Sequence, residues 1–463
     1  MLFNSWVFLA FFLLVYTAYL LSKRNFKIQN LILLGASYVF YGWWDWRFLL
    51  LLAFSTTVDF NIARKLDSET NPSKRKWLLA ISVVFNLSIL CFFKYFNFFS
   101  ESAVRALGIF GFHVDEITLK LVLPLGISFY TFQEMSYVID VYRKEFKAAS
   151  KLTDFALFVS FFPHLVAGPI QRATNLLTQI MGPRKIQTDQ VNAGIFLILW
   201  GYFKKVVIAD NLALIADRVF NNYTHFHGMD LFLGGLAFCF QIYGDFSGYS
   251  DIGRGLAKLM GFDLMVNFKL PYFALSPAEF WQRWHLSLSQ WLRNYLYIPL
   301  GGNRRGEFNT YRNLFLTMLL GGLWHGASWN FVLWGAFHGI LLAGAKFFKW
   351  DESRLPALLK MAVTFVFINA GWILFRSHSL ELIVYFFSHL GFGFSPDTLQ
   401  FGYQILYFTL PLIAVQILQH KTRNLLAVTE LPGFVRIPVY GVLLTWILVF
   451  GVRHSMEFIY FQF

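Results

Sequence analysis

Charged residues are scarce in this sequence. Asp, Glu, Lys and Arg make up only 14% of the 463 residues, whereas a soluble domain carries about 25%. With 57% hydrophobic residues and a mean hydropathy of +0.51, the chain would expose aggregating patches in water, but in a bilayer the same side chains gain lipid contact. The composition therefore excludes an ordinary soluble protein and indicates a polytopic membrane protein.

Cysteine is also scarce, and the common catalytic motifs are absent. The two cysteines, Cys91 and Cys239, each lie inside an apolar run, so we expect them in the core rather than in a disulfide or a metal site. The sequence contains no HxxxH, HExxH or CxxC spacing and no GxSxG, Walker or dinucleotide motif. It thus predicts no metal site, no bound cofactor and no nucleic-acid binding.

No long hydrophilic segment and no internal repeat divides the chain. The most polar interruption, residues 64–77, is too short to fold alone. We therefore predict one transmembrane domain over residues 1–463, with its chemistry at about 240–340, where Gly, Ser, Asp, Arg, His and Trp interrupt the apolar sequence. Such sequence is tolerated at membrane depth where protein encloses it or where it lines a wet cavity, so we expect a cavity there.

Thirteen apolar segments are candidates to cross the bilayer. A span needs about 17 to 25 apolar residues, and several segments are short or interrupted, so we predict about eleven transmembrane helices plus re-entrant or in-plane helices. The segments lie near 3–22, 28–44, 46–62, 77–99, 118–140, 152–170, 192–213, 229–243, 312–348, 358–377, 382–393, 401–418 and 435–452.

Basic residues set the predicted orientation. Lys23, Arg24 and Lys27 follow the first apolar segment and nothing basic precedes it, so the positive-inside rule places the N-terminus outside and this loop in the cytoplasm. The segment lacks a basic n-region and a cleavage site, which indicates a retained signal anchor. The net charge of +13 is concentrated in loops such as 64–77 and 301–308, as expected of cytoplasmic loops beside anionic lipid.

Residues 281–295 show a helical period. Trp, Leu and Tyr recur at steps of three and four on one face, and Arg, Ser, Gln and Asn recur on the other, which predicts one amphipathic in-plane or re-entrant helix. Pro277 marks its start, and Ser276 is placed to cap it. An interfacial anchor and a cavity wall both fit this pattern.

Three histidines of the polar region are candidates for chemistry: His285, His325 and His338. An ionisable side chain at membrane depth is costly and often marks function, although a hydrogen-bonded packing role explains a lone histidine without chemistry. His325 and His338 are 13 positions apart, on different faces of one helix, so we do not expect them to act as a pair from one helix.

The spacing of Asp251 and Arg254 predicts an internal ion pair on a helix. A transporter that relays protons or binds an anion through such buried groups is the alternative function.

The polar region consists of long ordered motifs. They read DFSGYSDIGRGLAKLMGF, PAEFWQRWHLSLSQWLRNYLYIPLGGNRRG and LLGGLWHGASWNFVLWGAFHG, after LVLPLGISFYTFQEMSYVIDVYR (121–143) and FFPHLVAGPIQR (161–172). Nearly the whole chain resembles the membrane-bound O-acyltransferase (MBOAT) family, in its bacterial branch of AlgI-, PatA- and DltB-like proteins. The resemblance implies an all-α fold whose tilted helices ring a central funnel.

The resemblance also implies roles for single residues. The family's essential histidine falls on His325 and its second recurrent histidine on His285. Imidazole is neutral near pH 7 and takes the proton of a hydroxyl as an acyl group leaves its thioester, so the resemblance implies that His325 is the general base and that His285 orients the reacting groups or binds the thioester carbonyl. The candidates for donor binding are Trp324, Ser328 and Asn330, which shape the pocket, and Arg304 and Arg305, which attract coenzyme A phosphates or form a plain cytoplasmic loop.

The final residues add a candidate acceptor. They read MEFIYFQF (456–463) and resemble the tyrosine-bearing tail of the small membrane peptide that accompanies DltB-like proteins. The resemblance implies that Tyr460 enters the funnel, accepts the acetyl group and presents it outside; an aromatic anchor at the lipid interface is the alternative. It further implies a separate extracytoplasmic transferase of the SGNH or AlgJ/AlgX-like type, because this sequence has no long soluble segment.

The resemblance, taken with these features, implies an acyltransferase of the bacterial plasma (inner) membrane. The expected donor is cytoplasmic acetyl-CoA or an acyl carrier, and the expected product is an O-acetylated alginate-like exopolysaccharide or peptidoglycan. A non-enzymatic transporter of an acyl donor, a lipid or a small anion is the alternative. The histidine set favours the enzyme, and the lack of repeated halves disfavours the transporter.

Overall fold

The protein is built almost entirely from helices. The computed structural model describes residues 1–112, 115, 117–119, 121–165, 168–452 and 458–459, and no strand occurs among them. They pack into two compact units, which consist of Met1–Ile186, Met260–Met265 and Gly326–Ser328, and of Gln187–Leu259, Val266–His325 and Trp329–Phe463. This division concerns packing alone, and the single domain expected over residues 1–463 stays a prediction.

Eight α-helices occur in the described part of the first unit. They are α1 (Trp6–Leu21), α2 (Phe26–Ser68), α3 (Pro72–Leu90), α4 (Phe96–Ile109), α5 (Ile127–Tyr142), α6 (Leu152–Ser160), α7 (Phe162–Leu165) and α8 (Thr178–Ile180). Helix α2 is broken at Asp45, whose φ of −157° and ψ of 112° are not helical. Because the break falls between the apolar segments expected at 28–44 and 46–62, those two segments are the two arms of α2.

Arg75 ties together the ends of two helices in this unit. Its side chain is buried and donates to the carbonyl oxygens of Glu69 at 3.2 Å and Tyr142 at 2.7 Å, and also to that of Leu66. The last carbonyls of a helix have no partner within that helix, so one guanidinium completes the C-terminal ends of α2 and α5. Arg75, a basic residue of the stretch 64–77, lies on α3 and therefore has a structural role.

Eleven α-helices occur in the described part of the second unit. They are α9 (Thr188–Tyr202), α10 (Asp210–Asn221), α11 (Met229–Leu259), α12 (Pro277–Trp281), α13 (Leu286–Leu292), α14 (Glu307–His325), α15 (Trp329–Phe347), α16 (Ala357–Arg376), α17 (Leu380–His389), α18 (Pro396–Thr422) and α19 (Gly433–Phe450). A π-helix at Phe203–Ala209 joins α9 to α10, and another at Arg293–Tyr297 follows α13.

Paired glycines allow a close crossing of α9 and α11. A Cβ atom on Gly194 would lie 2.9 Å from the carbonyl oxygen of Gly255, and one on Gly201 would lie 2.6 Å from that of Gly248. The spacing of seven residues in each helix is about two turns, so the glycines line one face. Small residues permit such backbone approach between membrane helices, and the crossing fixes α11, which carries part of the site described below.

Among the described residues, five helical stretches are long and apolar enough to cross a bilayer. They are Pro72–Ile109, Thr188–Asn221, Ala357–Arg376, Pro396–Thr422 and Gly433–Phe450. Large apolar side chains such as those of Leu14, Val84 and Leu448 are exposed, as expected of a surface that faces lipid. The all-helical class is confirmed, whereas the number of eleven spans and the central funnel stay predictions.

The single helix expected over 281–295 is wrong. The structure has two short helices, α12 and α13, with His285 between them in the left-handed conformation (φ 43°, ψ 54°). The backbone N–H of Leu286 donates to the carbonyl oxygen of Asn267 at 2.9 Å. In a continuous helix this N–H would instead donate to the carbonyl oxygen four residues earlier. The expected cap is confirmed, because the Ser276 hydroxyl accepts a backbone N–H from the first turn of α12.

The two cysteines differ in their surroundings. Cys239 is buried as expected, but Cys91 is exposed, so its expected place in the core is wrong. Cys91 lies in the apolar stretch Pro72–Ile109, and an apolar run in a membrane protein meets lipid as well as core. Its sequence surroundings therefore do not distinguish the two positions.

Candidate active site

His325 ends α14 and lies inside a cluster of aromatic rings. It is 5% exposed, and its imidazole meets the rings of Trp324, Trp334 and Phe375 edge to face, with centroid distances of 5.0, 5.0 and 5.5 Å. Rings prefer this arrangement because the positive edge of one faces the negative face of the other. Three such contacts fix the plane of the imidazole, as the precise placement of a catalytic group requires.

A close helix crossing places Trp334 against His325. Helix α14 ends at His325, and α15 begins four residues later. A Cβ atom on Gly322 would collide with the carbonyl oxygen of Phe331 and would lie 2.9 Å from the Cα of Gly335. Glycine is therefore required at the crossing.

His338 lies on α15 and not on the helix of His325. It is 1% exposed, and its ring is 4.8 Å from that of Trp334 and 5.1 Å from that of Trp281. The expectation that the two histidines do not act as a pair from one helix is consistent with this arrangement. They contact the same tryptophan from different helices.

His285 belongs to the same cluster as His325. It is fully buried, packs edge to face on Phe246 with centroids 4.7 Å apart, and contacts Trp324 at 6.1 Å. Because Trp324 also contacts His325, one indole joins the two histidines predicted to be catalytic. The left-handed backbone at His285 is uncommon for a residue with a side chain and occurs often at functional sites.

Hydrogen bonds support the ring of His285. Its Nδ1 lies 3.5 Å from the hydroxyl oxygen of Ser287, and that hydroxyl donates to Oδ1 of Asn267 at 2.7 Å. All three side chains are buried. A polar relay of this kind holds a ring in one orientation. Asn267 was not a candidate predicted from the sequence, because it lies outside the quoted motifs.

The predicted pocket residues Trp324, Ser328 and Asn330 do not all lie at the ring cluster. Asn330 lies in the first turn of α15, and its Nδ2 donates to the carbonyl oxygen of Phe375 at 3.5 Å, beside the ring that contacts His325. Ser328 lies between α14 and α15, in the stretch Gly326–Ser328 that belongs to the first unit. The structure thus brings Trp324 and Asn330 to the cluster, and the role of Ser328 stays a prediction.

Arg304 and Arg305 lie in an exposed turn just before α14. The turn is fixed by Asn313, whose Nδ2 donates to the carbonyl oxygens of Leu300 at 3.3 Å and Gly302 at 2.9 Å. His325 is at the opposite end of the same helix, which has 19 residues and is therefore about 28 Å long. The structure does not bring the two arginines to the histidine cluster.

The predicted acceptor Tyr460 lies outside the described residues. The two residues before it are described, and both are buried: Phe458 is 0% and Ile459 is 2% exposed. The ring of Phe458 contacts that of Phe246 at 5.9 Å. Phe246 also packs on His285, so the segment before Tyr460 lies one ring away from the histidine cluster.

The expected ion pair on α11 is confirmed, and a lysine joins it. Arg254 Nη1 lies 3.0 Å from Asp251 Oδ1, and Lys204 Nζ lies 2.6 Å from Asp251 Oδ2 and 3.0 Å from the hydroxyl oxygen of Ser247. Lys204 and its neighbour Lys205 were not among the candidates predicted from the sequence. The available signal was two adjacent lysines inside the apolar segment 192–213, since a cation at membrane depth requires a buried partner.

A cavity of about 520 Å³ opens beside α13. Its lining is mainly apolar, with polar groups from Gln282, Ser289, Gln290 and Arg293. Part of the polar region therefore lines a cavity, as expected, but His285, His325 and His338 are not among the residues that line it. Among the residues that the structure describes, no group of three or more His, Cys, Asp or Glu side chains is arranged to hold a metal ion.

Similarity to known proteins extends over most of the chain. The sequence profile of the MBOAT, membrane-bound O-acyltransferase family matches residues 143–350. The probable alginate O-acetylase AlgI of Pseudomonas putida is 46% identical over 387 residues, which cover 82% of this chain and 78% of that protein. The peptidoglycan O-acetyltransferase of Helicobacter pylori is 37% identical over 416 residues, covering 82% and 78%. The teichoic acid D-alanyltransferase of Bacillus subtilis is 26% identical over 284 residues, covering 55% and 69%.

Proposed function

Because this chain belongs to the membrane-bound O-acyltransferase family, we propose that it moves acetyl groups from cytoplasmic acetyl-CoA across the membrane for O-acetylation of an extracytoplasmic polysaccharide. The polysaccharide is an alginate-like exopolysaccharide or peptidoglycan, since an alginate O-acetylase and a peptidoglycan O-acetyltransferase are among its relatives. The observation that carries the proposal is the burial of His325 among rings that fix its plane.

In the proposed reaction, His325 is the general base. The oxygen of the acceptor hydroxyl attacks the thioester carbonyl carbon, His325 takes the hydroxyl proton, and the carbon–sulfur bond breaks as the ester bond forms. The proton then passes from the imidazolium to the departing thiolate, which leaves as coenzyme A. An imidazole suits both transfers because its ordinary pKa is near neutrality, and the surrounding rings keep water from the thioester.

His285 is proposed to orient the reacting groups or to bind the thioester carbonyl. In the second role its Nε2 donates to the carbonyl oxygen in the protonated form of the ring, which stabilises the negative charge that develops during attack. Its place in the cluster supports this role, because Trp324 contacts both His285 and His325. Asn330, in the first turn of α15, is proposed to shape the same pocket.

Arg304 and Arg305 are proposed to attract the donor at the entrance rather than to hold its reacting end. Their turn is exposed, and the length of α14 separates it from His325. Guanidinium groups bind phosphate oxygens well, and long-range attraction of a charged substrate raises the rate of encounter.

Tyr460 is proposed to carry the acetyl group to a separate extracytoplasmic transferase of the SGNH or AlgJ/AlgX-like type. The burial of Phe458 and Ile459 beside Phe246 supports a tail that reaches the cluster. In this proposal the multi-pass chain lies in the plasma (inner) membrane of a bacterium with its N-terminus outside, as the basic residues after the first apolar segment favour.

The experiment that tests the function is donor turnover by purified protein in proteoliposomes, with acetyl-CoA labelled separately in the acetyl group and in the coenzyme. We expect free coenzyme A to appear outside the proteoliposomes, and labelled acetate or labelled protein to form as the second product. The label on the protein should be lost in Tyr460→Phe. Entry of intact acetyl-CoA without turnover would instead indicate a transporter. Turnover only with an acyl carrier protein would contradict the proposed donor.

A further inference from the structure

A buried ionic centre in the second unit binds the backbone of Ile459. Lys205 Nζ lies 2.8 Å from Asp210 Oδ1 and 2.8 Å from Asp245 Oδ1, and none of these three side chains is more than 4% exposed. The other carboxylate oxygen of Asp245, Oδ2, accepts the backbone N–H of Ile459 at 2.6 Å. One carboxylate therefore links the lysine of the π-helix to a segment more than 200 positions away.

Phe458 adds a second contact between this segment and α11. Its ring lies 4.7 Å from that of Tyr249 and 5.9 Å from that of Phe246, by centroids. Phe246 follows Asp245 directly and packs on His285 at 4.7 Å. A charged hydrogen bond and two ring contacts thus hold segment 458–459 against the part of α11 that supports His285.

The centre leaves one oxygen of Asp245 for an uncharged donor. Two carboxylates share one ammonium, and Asp245 binds Lys205 through Oδ1 and the backbone N–H of Ile459 through Oδ2. A hydrogen bond to an ionised group is short and strong, and burial removes the water that would compete for it. Because the donor is a main-chain N–H, the bond fixes the position of the segment along α11 whatever the side chain of residue 459.

We propose that Asp245, held by Lys205 and Asp210, is a positioning residue that anchors segment 458–459 on α11 and so sets where the chain continues relative to His285 and His325. The anchoring itself depends on contacts within the second unit. Its effect on acyl delivery rests on the proposed function, because it requires the segment to present the acceptor to the histidine cluster.

Hydrogen exchange tests the anchor without reference to activity. In the full-length protein we expect slow exchange of the Ile459 amide, and exchange faster by about tenfold or more in Asp245→Asn, since the charged acceptor is lost. Asp251→Asn is the matched control, because Asp251 also lies on α11 and pairs with a lysine of the same π-helix. Unchanged exchange in Asp245→Asn would overturn the anchor.

A pair of substitutions at residue 459 tests its use in delivery. Ile459→Pro removes the N–H, whereas Ile459→Ala keeps it and shortens the side chain. We expect Ile459→Pro to lower acetyl delivery to polysaccharide at least about tenfold more than Ile459→Ala does, through kcat, with the KM for acetyl-CoA unchanged. Equal effects of the two substitutions would overturn the positioning role.

The two failures are distinguishable. Absence of acetyl-CoA turnover in the wild-type protein would count against the proposed function, and the exchange experiment would still decide whether Asp245 anchors the segment. Normal turnover with unaltered exchange in Asp245→Asn would count against the anchor alone. Restoration of slow exchange and delivery by Asp245→Glu, which keeps the charge, is the expected rescue.

Discussion

The imidazole of His325 and the indole of Trp334 meet edge to face, with ring centroids 5.0 Å apart and ring planes at 85°. Trp334 is 1% exposed and also contacts Phe375 at 5.4 Å, which in turn contacts His325. These three rings form a closed set of mutual contacts. Trp334 therefore fixes the imidazole plane both directly and through Phe375.

Shortening Trp334 should impair catalysis through the position of His325. We expect Trp334→Ala to lower kcat roughly 100-fold, because a misplacement of about 1 Å has that effect on a reacting group. Trp334→Phe keeps a ring at the site and should stay within about tenfold of wild type. Steady-state kinetics with acetyl-CoA make the comparison, and thermal unfolding in detergent identifies any loss that comes from instability alone. Wild-type kcat in Trp334→Ala would contradict this role.

The crossing of α14 and α15 should depend on glycine at position 322. A methyl group there collides with the carbonyl oxygen of Phe331, so we expect Gly322→Ala to destabilise the protein by about 1–3 kcal/mol and to lower its unfolding temperature. Gly344→Ala on α15 is the control, because its Cβ would meet no atom within 4 Å. That substitution should be neutral or slightly stabilising. Equal unfolding temperatures for the two variants would argue against the crossing.

The exposed arginine pair should affect capture of the donor and not the chemical step. Replacing Arg304 and Arg305 together by Gln should raise the KM for acetyl-CoA roughly tenfold at low salt, with kcat unchanged. Long-range attraction between the arginines and the charged donor raises the rate at which the two meet, and salt screens this attraction. The difference should shrink at high salt. The same change at Lys23 and Arg24, another exposed basic pair, is the control. A fall in kcat at constant KM would place the arginines at the reacting end instead.

Much of the fold could be predicted from the sequence. Apolar composition indicated a helical membrane protein, and the MBOAT motifs identified a family and an acyltransferase activity that the comparisons confirm. The helix expected over 281–295 failed because periodicity records which face is apolar and not whether the chain continues. Bonding of Leu286 to Asn267 and the left-handed His285 break the helix there.

The candidate site was predictable only in part. Motifs pointed to His285 and His325, and the structure places both in one ring cluster through Trp324. The link from Lys205 through Asp245 to Ile459 was not predictable, because no periodicity or spacing connects residues so far apart in the chain. Side chains that meet only through tertiary packing leave little local signal, beyond the cost of a lysine in an apolar segment.

The central claim is that His325 is the general base, and comparison of His325→Gln with His338→Gln tests it most directly. Both histidines are buried and both contact Trp334, so the two substitutions disturb packing in similar ways. Positioned acid–base catalysis contributes about 100- to 10,000-fold. In turnover of labelled acetyl-CoA by folded protein, we predict a loss of that size for His325→Gln and a loss of less than about tenfold for His338→Gln. Equal losses in the two variants, or wild-type turnover in His325→Gln, would contradict the account.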